Sequence, residues 1–329
     1  MSDLPWQDPL LDKAQGYRRK TRLALDCRNK NKAILGFRAK GSKQVVAISQ
    51  CPILVKDLQD LIRPLQALIA DMQQPGNIGH ISLLKGDNAV QVCMRLTRSL
   101  VQADRELLLA FSQLQGCQLL LESQKNQFEP LGEHGDELYY LLNDTIKIHL
   151  QPNDFVQVNA NINQQMIAQA ISWLELKQDD EVLDLFCGVG NFSLPMARVC
   201  KYVIGLEGVS DLVQRASDNA LLNGITNTAF YQSDLSQADC LGDPQYLKCN
   251  KILLDPAREG AYELIPQLSK LKVEKILYVS CNPATFVRDT QLLLEQAYVL
   301  DKVALMDMFP NTAHTELMAL FVLKHKSKS

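Results

Sequence analysis

At 329 residues, with 47% hydrophobic and 22% charged side chains and a net charge of −3, the chain has the composition of a globular protein with room for two domains. Its apolar runs are strand-length, so no membrane-spanning helix is expected, and Met1-Ser2-Asp3-Leu4-Pro5-Trp6 lacks the basic-then-apolar pattern of a signal peptide. Nine scattered cysteines with no Cys-x-x-Cys pair argue against a zinc ribbon or a disulfide framework, and a reduced, cytoplasmic protein is the expectation.

Charge is concentrated at the start. Residues 1–50 carry eleven Lys/Arg against four Asp, most densely in Gly16-Tyr17-Arg18-Arg19-Lys20-Thr21-Arg22. A basic stripe beside a tyrosine suits phosphate contact with base stacking, and an ordinary solvated face is the equal alternative. Residues 17–50 alternate in short apolar stretches separated by Lys/Asn and Lys/Gly/Ser turns, the pattern of a β-meander. Leu54, Leu58, Leu61, Ile62, Leu65 and Leu68 give helical spacing over 53–73. Strands are expected at 78–84, 89–96, 117–122 and 145–150, with a helix at 103–114, which makes this part an α+β module. Gln151-Pro152-Asn153-Asp154 is the expected boundary, giving domains at 1–150 and 151–329.

Beyond residue 161 helices and strands alternate. Helices are expected at 163–174, from about 192, at 210–223, 261–270 and 285–296. Strands are expected at 181–186, 202–207, 228–232, 251–255 and 275–279. This is the pattern of a doubly wound parallel sheet, and two further strands at 299–308 and 317–324 read as a hairpin at its edge.

Two places in this sheet carry chemistry. Ser280-Cys281-Asn282-Pro283 follows the strand Lys275–Val279, where Pro283 ends ladder pairing and biases Asn282 toward an extended backbone. A thiol at the carboxyl end of such a strand is a candidate nucleophile, against the alternative of one more structural cysteine. Leu183-Asp184-Leu185-Phe186-Cys187-Gly188-Val189-Gly190-Asn191-Phe192 joins the first strand to the next helix, and Gly188 and Gly190 allow close backbone approach to a ligand. Ser193 stands where a dinucleotide fingerprint needs glycine, which disfavours a nicotinamide oxidoreductase. Glu207 and Asp234, at later strand ends, suit ribose hydroxyls and an adenine amine. With no P-loop lysine, the set fits an adenosine cofactor bearing a cation, such as S-adenosylmethionine.

From about residue 16 to 324 the chain resembles the RNA uracil-C5 methyltransferases, most closely the type that modifies 23S ribosomal RNA. The resemblance rests on Asp154-Phe155-Val156-Gln157-Val158-Asn159, Leu183–Phe192, Leu254-Asp255-Pro256-Ala257-Arg258, Ser280–Pro283, Asp307-Met308-Phe309-Pro310 and His314-Thr315-Glu316, in family order. It implies a Rossmann-like S-adenosylmethionine-dependent methyltransferase domain over 151–329 and a central, RNA-binding α+β domain over 1–150. It implies that Cys281 is the nucleophile and Glu316 the base. Gln157, Phe186, Gly188, Gly190, Asn191, Glu207, Asp234 and Asp255 would then line the cofactor and uracil pocket. A monomer acting on a single-stranded or flipped-out uridine is expected. The ribosomal type also carries an N-terminal TRAM domain and four cysteines for a [4Fe–4S] cluster. Here only Cys51 matches a ligand, so a free thiol and no bound cluster are expected. A transfer RNA methyltransferase and a catalytically silent cofactor- or RNA-binding chain are the rival expectations.

Overall fold

A computed structural model describes residues 4–28, 33–132, 135–237 and 239–324. The chain divides into two units, Lys13–Tyr140 with His149–Ala160, and Met1–Asp12 with Leu141–Ile148 and Asn161–Ser329.

In the unit of residues 13–140 and 149–160, the elements are β1 (Lys20–Asp26), β2 (Ile34–Arg38), β3 (Val45–Ala47), α1 (Lys56–Asp60), α2 (Ile62–Asp71), β4 (Ile78–Lys85), β5 (Val90–Leu96), α3 (Gln102–Gln115), β6 (Gln118–Gln124) and β7 (Gln127–Pro130). They build one sheet in the order β3-β2-β1-β4-β5-β6-β7. The expected meander is β1 to β3, paired antiparallel. β5 and β6 run parallel, a pairing that needs a crossover, and α3 supplies it. Alternation turns Leu23, Ile81, Leu83, Val92, Met94, Leu119 and Leu121 to one face, where they pack with Leu58, Ile62, Leu65, Leu108 and Phe111. The single helix expected at 53–73 is broken at Leu61. Pro64 has no N–H to give the Asp60 carbonyl, so the ladder cannot run through from α1 into α2.

The chain passes between the units through β8 (Tyr139–Leu142) and β9 (Ile146–His149), a two-stranded ladder. Asn143 and Asp144 both take positive φ in its turn, the conformation that hairpin turns favour.

The other unit follows α4 (Ala160–Leu174) with β10 (Glu181–Leu185), α5 (Ser193–Ala197), β11 (Tyr202–Glu207), α6 (Ser210–Leu222), β12 (Thr228–Gln232), β13 (Lys251–Leu254), α7 (Ile265–Leu271), β14 (Lys275–Ser280), α8 (Pro283–Glu295), β15 (Tyr298–Met306) and β16 (Glu316–Leu323). The sheet order is β12-β11-β10-β13-β14-β16-β15. β10 to β14 are parallel, as the alternating pattern predicts, and the order reverses between β10 and β13. That reversal opens a crevice beyond the strand ends, the usual ligand position in such sheets. The expected hairpin is present, with β16 inserted antiparallel between β14 and β15. Trp6 and Leu10 bridge the outer edge of β15 at Val303 and Met306. One face of the sheet packs Leu183, Leu185, Ile204, Ile252, Leu254, Ile276, Tyr278 and Phe321 into a core. The helix expected at 261–270 starts only at Ile265, where Pro266 fits a first helical turn. Residues 256–264 remain irregular and lie beside the site.

Candidate active site

Side chains two residues apart share a sheet face, so the pairing register says which residues converge. Asp184 pairs with Gly205 on one side and Leu253 on the other, and Leu253 pairs with Leu277. Leu277 in turn pairs with Leu320. Continuing the alternation to the strand ends brings Glu207, Asp184, Asp255, Cys281 and Glu316 to the same face of the carboxyl edge. β16 matters most here. A parallel strand would begin at the far edge of the sheet, whereas the antiparallel β16 places its first residue, Glu316, beside the last residues of β14, with Ser280 opposite Leu317.

Cys281 is half-buried and follows the end of β14 directly. Asn282 is extended, at φ −142° and ψ 103°, as its place before Pro283 predicts. Its side-chain oxygen accepts from the Ala284 N–H at 3.1 Å and caps α8, leaving the thiol just before the positive end of a 13-residue helix. Burial pushes the Cys281 thiol up, the charges of Glu316 and Asp255 add to this, and Arg258 opposes it. The resting side chain is therefore a thiol. Glu316, only 8% exposed, is pushed up to about 8 by burial and then by Asp255. Asp255 is raised to about 7 by burial. Asp184, fully buried, is raised to about 7 by burial although the Ser193 hydroxyl donates to it. The charge of Asp255 acts on both Asp184 and Glu316, so these carboxyl groups cannot all ionise cheaply, and shifts of this kind mark sites of proton transfer.

The glycine loop lies at the same edge. Phe186 is held at φ +67°, a left-handed conformation unusual for an aromatic residue, and the N–H groups of Phe186 and Cys187 both donate to the Leu206 carbonyl. Gly188 and Gly190 also have positive φ, and a Cβ on Gly188 would point into open space. Glu207 accepts from the Gly188 N–H at 3.2 Å and from the Val209 N–H at 3.0 Å, one through each oxygen. Asp234 is exposed and accepts from Ser236 and from Gln237, bonds that hold it below the usual carboxylate range. Phe186, Glu207 and Asp234 line one cleft of about 660 Å³, whose far wall is Glu259, Gly260, Ala261 and Tyr262. A glycine turn, an oriented carboxylate and an open cleft at a switch point fit an adenosyl cofactor. Ser193, the residue that spoils a dinucleotide fingerprint, is fully buried against Asp184.

The basic N-terminal stretch differs from sequence-based expectation. Tyr17 is only 4% exposed, so it offers no ring to a base. Arg19 pairs with Asp87 at 3.4 Å and lies over the Tyr140 ring, and Lys20 donates to the Asp154 carbonyl, with burial lowering its ammonium to about 8. Gln157 belongs to the unit of residues 13–140, in a segment anchored by the Arg19 N–H on the Val158 carbonyl at 2.9 Å. Cys51 is a half-buried free thiol, and among the described residues no group of three or more His, Cys, Asp or Glu is placed to share a metal. One thiolate does not fit a four-iron cluster. Asn163 was not expected at the site. It exchanges two amide hydrogen bonds with Asn191, both 2.9 Å, and only the packing of α4 beside the glycine loop reveals it.

Residues 12–325 match the family described as tRNA (Uracil-5-)-methyltransferase. The chain belongs to this family. It is 44% identical over 315 residues to the 23S rRNA (uracil(1939)-C(5))-methyltransferase RlmD of Shewanella sediminis, covering 95% of this chain and 71% of that protein. It is 46% identical over 309 residues to the protein of the same description from Shewanella amazonensis, covering 93% and 69%. The structure of the Pyrococcus abyssi tRNA (uracil-54, C5)-methyltransferase, in complex with S-adenosyl-L-homocysteine, superimposes with a TM-score of 0.75 at 23% identity, over 97% of this chain and 79% of that one. The enzyme is thus an RNA uracil-C5 methyltransferase with the Rossmann-like fold of S-adenosylmethionine-dependent methyltransferases.

Proposed function

We propose that the enzyme methylates C5 of a uridine in 23S ribosomal RNA, the substrate in the names of the Shewanella proteins, through a transient bond between Cys281 and C6 of the base. The observation that carries this reading is the register of β14 and β16, which sets a half-buried thiol beside a buried acid at the ligand-binding edge.

C5 of uracil is a weak nucleophile. Addition of the Cys281 thiolate to C6 moves the C5=C6 electron pair into an enolate, and C5 can then form the bond to carbon. S-adenosylmethionine, when bound, supplies an electrophilic methyl group and a positive charge. That charge, Arg258 and the α8 N-terminus all favour the Cys281 thiolate. Glu316 in its ionised form accepts the C5 proton, and the Sγ–C6 bond breaks as the double bond re-forms. Such a proton transfer is typically worth about 10²–10⁴ in rate. On this reading Gln157, Phe186, Gly188, Gly190, Asn191, Glu207, Asp234 and Asp255 bind the cofactor and the uracil edge. The target uridine is single-stranded or flipped out, since a stacked base cannot reach a thiol at a strand end. The enzyme acts as a monomer in the cytoplasm, and Cys51 takes no part.

An RNA fragment carrying 5-fluorouridine at the target tests this. Fluorine cannot leave as a proton, so a denaturation-resistant adduct is expected on the peptide containing Cys281. Methylation by Cys281→Ala at the parent rate would overturn the covalent route. Because the family description names transfer RNA, both RNAs belong in the assay, and faster turnover of transfer RNA would replace the ribosomal substrate.

A further inference from the structure

Helix α8, which starts two residues after Cys281, carries a carboxylate that the reaction does not use. Asp289 is fully buried, against a core that includes Tyr278, Phe286 and Leu293. A charge at that depth is costly unless several donors meet it. Asp289 Oδ2 accepts from the Tyr278 hydroxyl and from the Ala261 N–H, both at 2.7 Å, and Oδ1 accepts from Arg288 Nε at 2.8 Å. The bond to Ala261 reaches the irregular segment after β13, and the same helix holds that segment at further points. Arg288 donates to the Glu259 carbonyl at 2.8 Å and lies over the Tyr262 ring. Asn282 and Thr285 both donate to the Arg258 carbonyl, at 2.9 and 3.2 Å. Gly260 lets the loop come this close. Its φ is +77°, and a Cβ there would stand 2.4 Å from Asp289 Oδ2.

The N-cap Asn282 and Thr285, Arg288 and Asp289 of α8 thus grip four loop residues, Arg258, Glu259, Ala261 and Tyr262. The gripped loop has two jobs at the site. Residues 259–262 form a wall of the cleft, and the Arg258 guanidinium reaches His314 Nδ1 at 3.2 Å, two residues before Glu316.

We propose that Asp289 is a positioning residue for methyl transfer, locking the 258–262 loop to α8 so that Arg258 is held against the edge that bears Cys281. This rests on the reading of Cys281 as the nucleophile. The groups whose charge the thiol feels are Glu316, Asp255 and Arg258, of which Arg258 alone is cationic. Loosening the loop withdraws that cation and leaves the two acids. The thiolate then becomes harder to form, while the thiol itself stays in place on β14.

The test is the pH profile of Cys281 alkylation by iodoacetamide in the cofactor-free enzyme, followed on the Cys281 peptide by mass spectrometry and compared with kcat and KM. Asp289→Asn keeps the side-chain shape and removes the charge. The expected result is an alkylation midpoint at higher pH and a kcat lower by about tenfold or more, in the range typical of lost positioning. Gly260→Ala, which forces the loop off the carboxylate with Asp289 intact, is expected to move the midpoint the same way. Arg258→Gln, a change at an exposed position, is expected to shift it at least as far. An unmoved midpoint in Arg258→Gln overturns the proposal, as does an unmoved midpoint in a folded Asp289→Asn or Gly260→Ala whose only change is a lower melting temperature. Since alkylation reads the thiol without turnover, failure of the proposal is distinct from failure of the covalent route, which Cys281→Ala decides.

Discussion

Glu316 in the cofactor-free enzyme holds a proton at neutral pH, because burial first and Asp255 second raise it to about 8. An unfolded chain releases that proton near the ordinary glutamate value, so between about pH 5 and pH 8 the folded state binds more protons than the unfolded one. The stabilisation is complete at the acid end and is lost as pH rises through the folded value. We expect stability against urea to fall as pH rises across that window, and Glu316→Gln to flatten the slope. Turnover should run the opposite way with pH, since a base must be ionised to accept a proton. A parallel rise of stability and activity from pH 6 to 8 would contradict this assignment. Asp184 gives a second prediction at this scale. Ser193→Ala removes its hydroxyl donor and should cost about 1–3 kcal/mol in urea unfolding, as for a buried acceptor losing its partner.

Local elements show why some of this chemistry could be read directly from the residues and some could not. Ser280 to Pro283 reads locally as a strand end with an extended Asn282, and the backbone follows, although α8 starts at Pro283, two residues before the expected helix, with Asn282 as its cap. The glycine loop is equally local, with Gly188 and Gly190 at the positive φ that their type allows. Most strands and helices were also legible, because their apolar spacing is driven by burial on one face. β7, with few apolar residues, left no such signal. Nor did the partners that distant packing supplies: Asn163 on α4 against Asn191, and Asp289 on α8 against Ala261. Their roles depend on which helix lies beside which loop, and no short motif encodes that. Asn163→Ala should weaken binding of S-adenosylhomocysteine by about five- to tenfold in calorimetry, the loss expected for one or two neutral hydrogen bonds. Unchanged affinity would mean that Asn191 does not depend on this partner.

For the molecule as a whole, the basic N-terminal stretch illustrates how composition misleads when side chains are needed at home. Arg19 and Lys20 are engaged with Asp87, Tyr140 and Asp154, whereas Arg22 is exposed. Arg22→Ala should therefore weaken RNA binding and reduce the salt dependence by about one phosphate contact. Arg19→Ala should instead cost stability, on the order of 1 kcal/mol, with a smaller effect on the salt slope. Titrations of each variant against RNA at several salt concentrations separate the two. A final consequence concerns assembly order. β16 comes after β15 in the chain yet lies inside it in the sheet, so β15 has no neighbour on its inner side until β16 threads into the gap beside β14. Closure of the second sheet and arrival of Glu316 at its carboxyl edge are then a single event. A nascent or damaged chain that fails to complete its last strand cannot hold Glu316 beside the end of β14; it loses the outer two strands and the acid together.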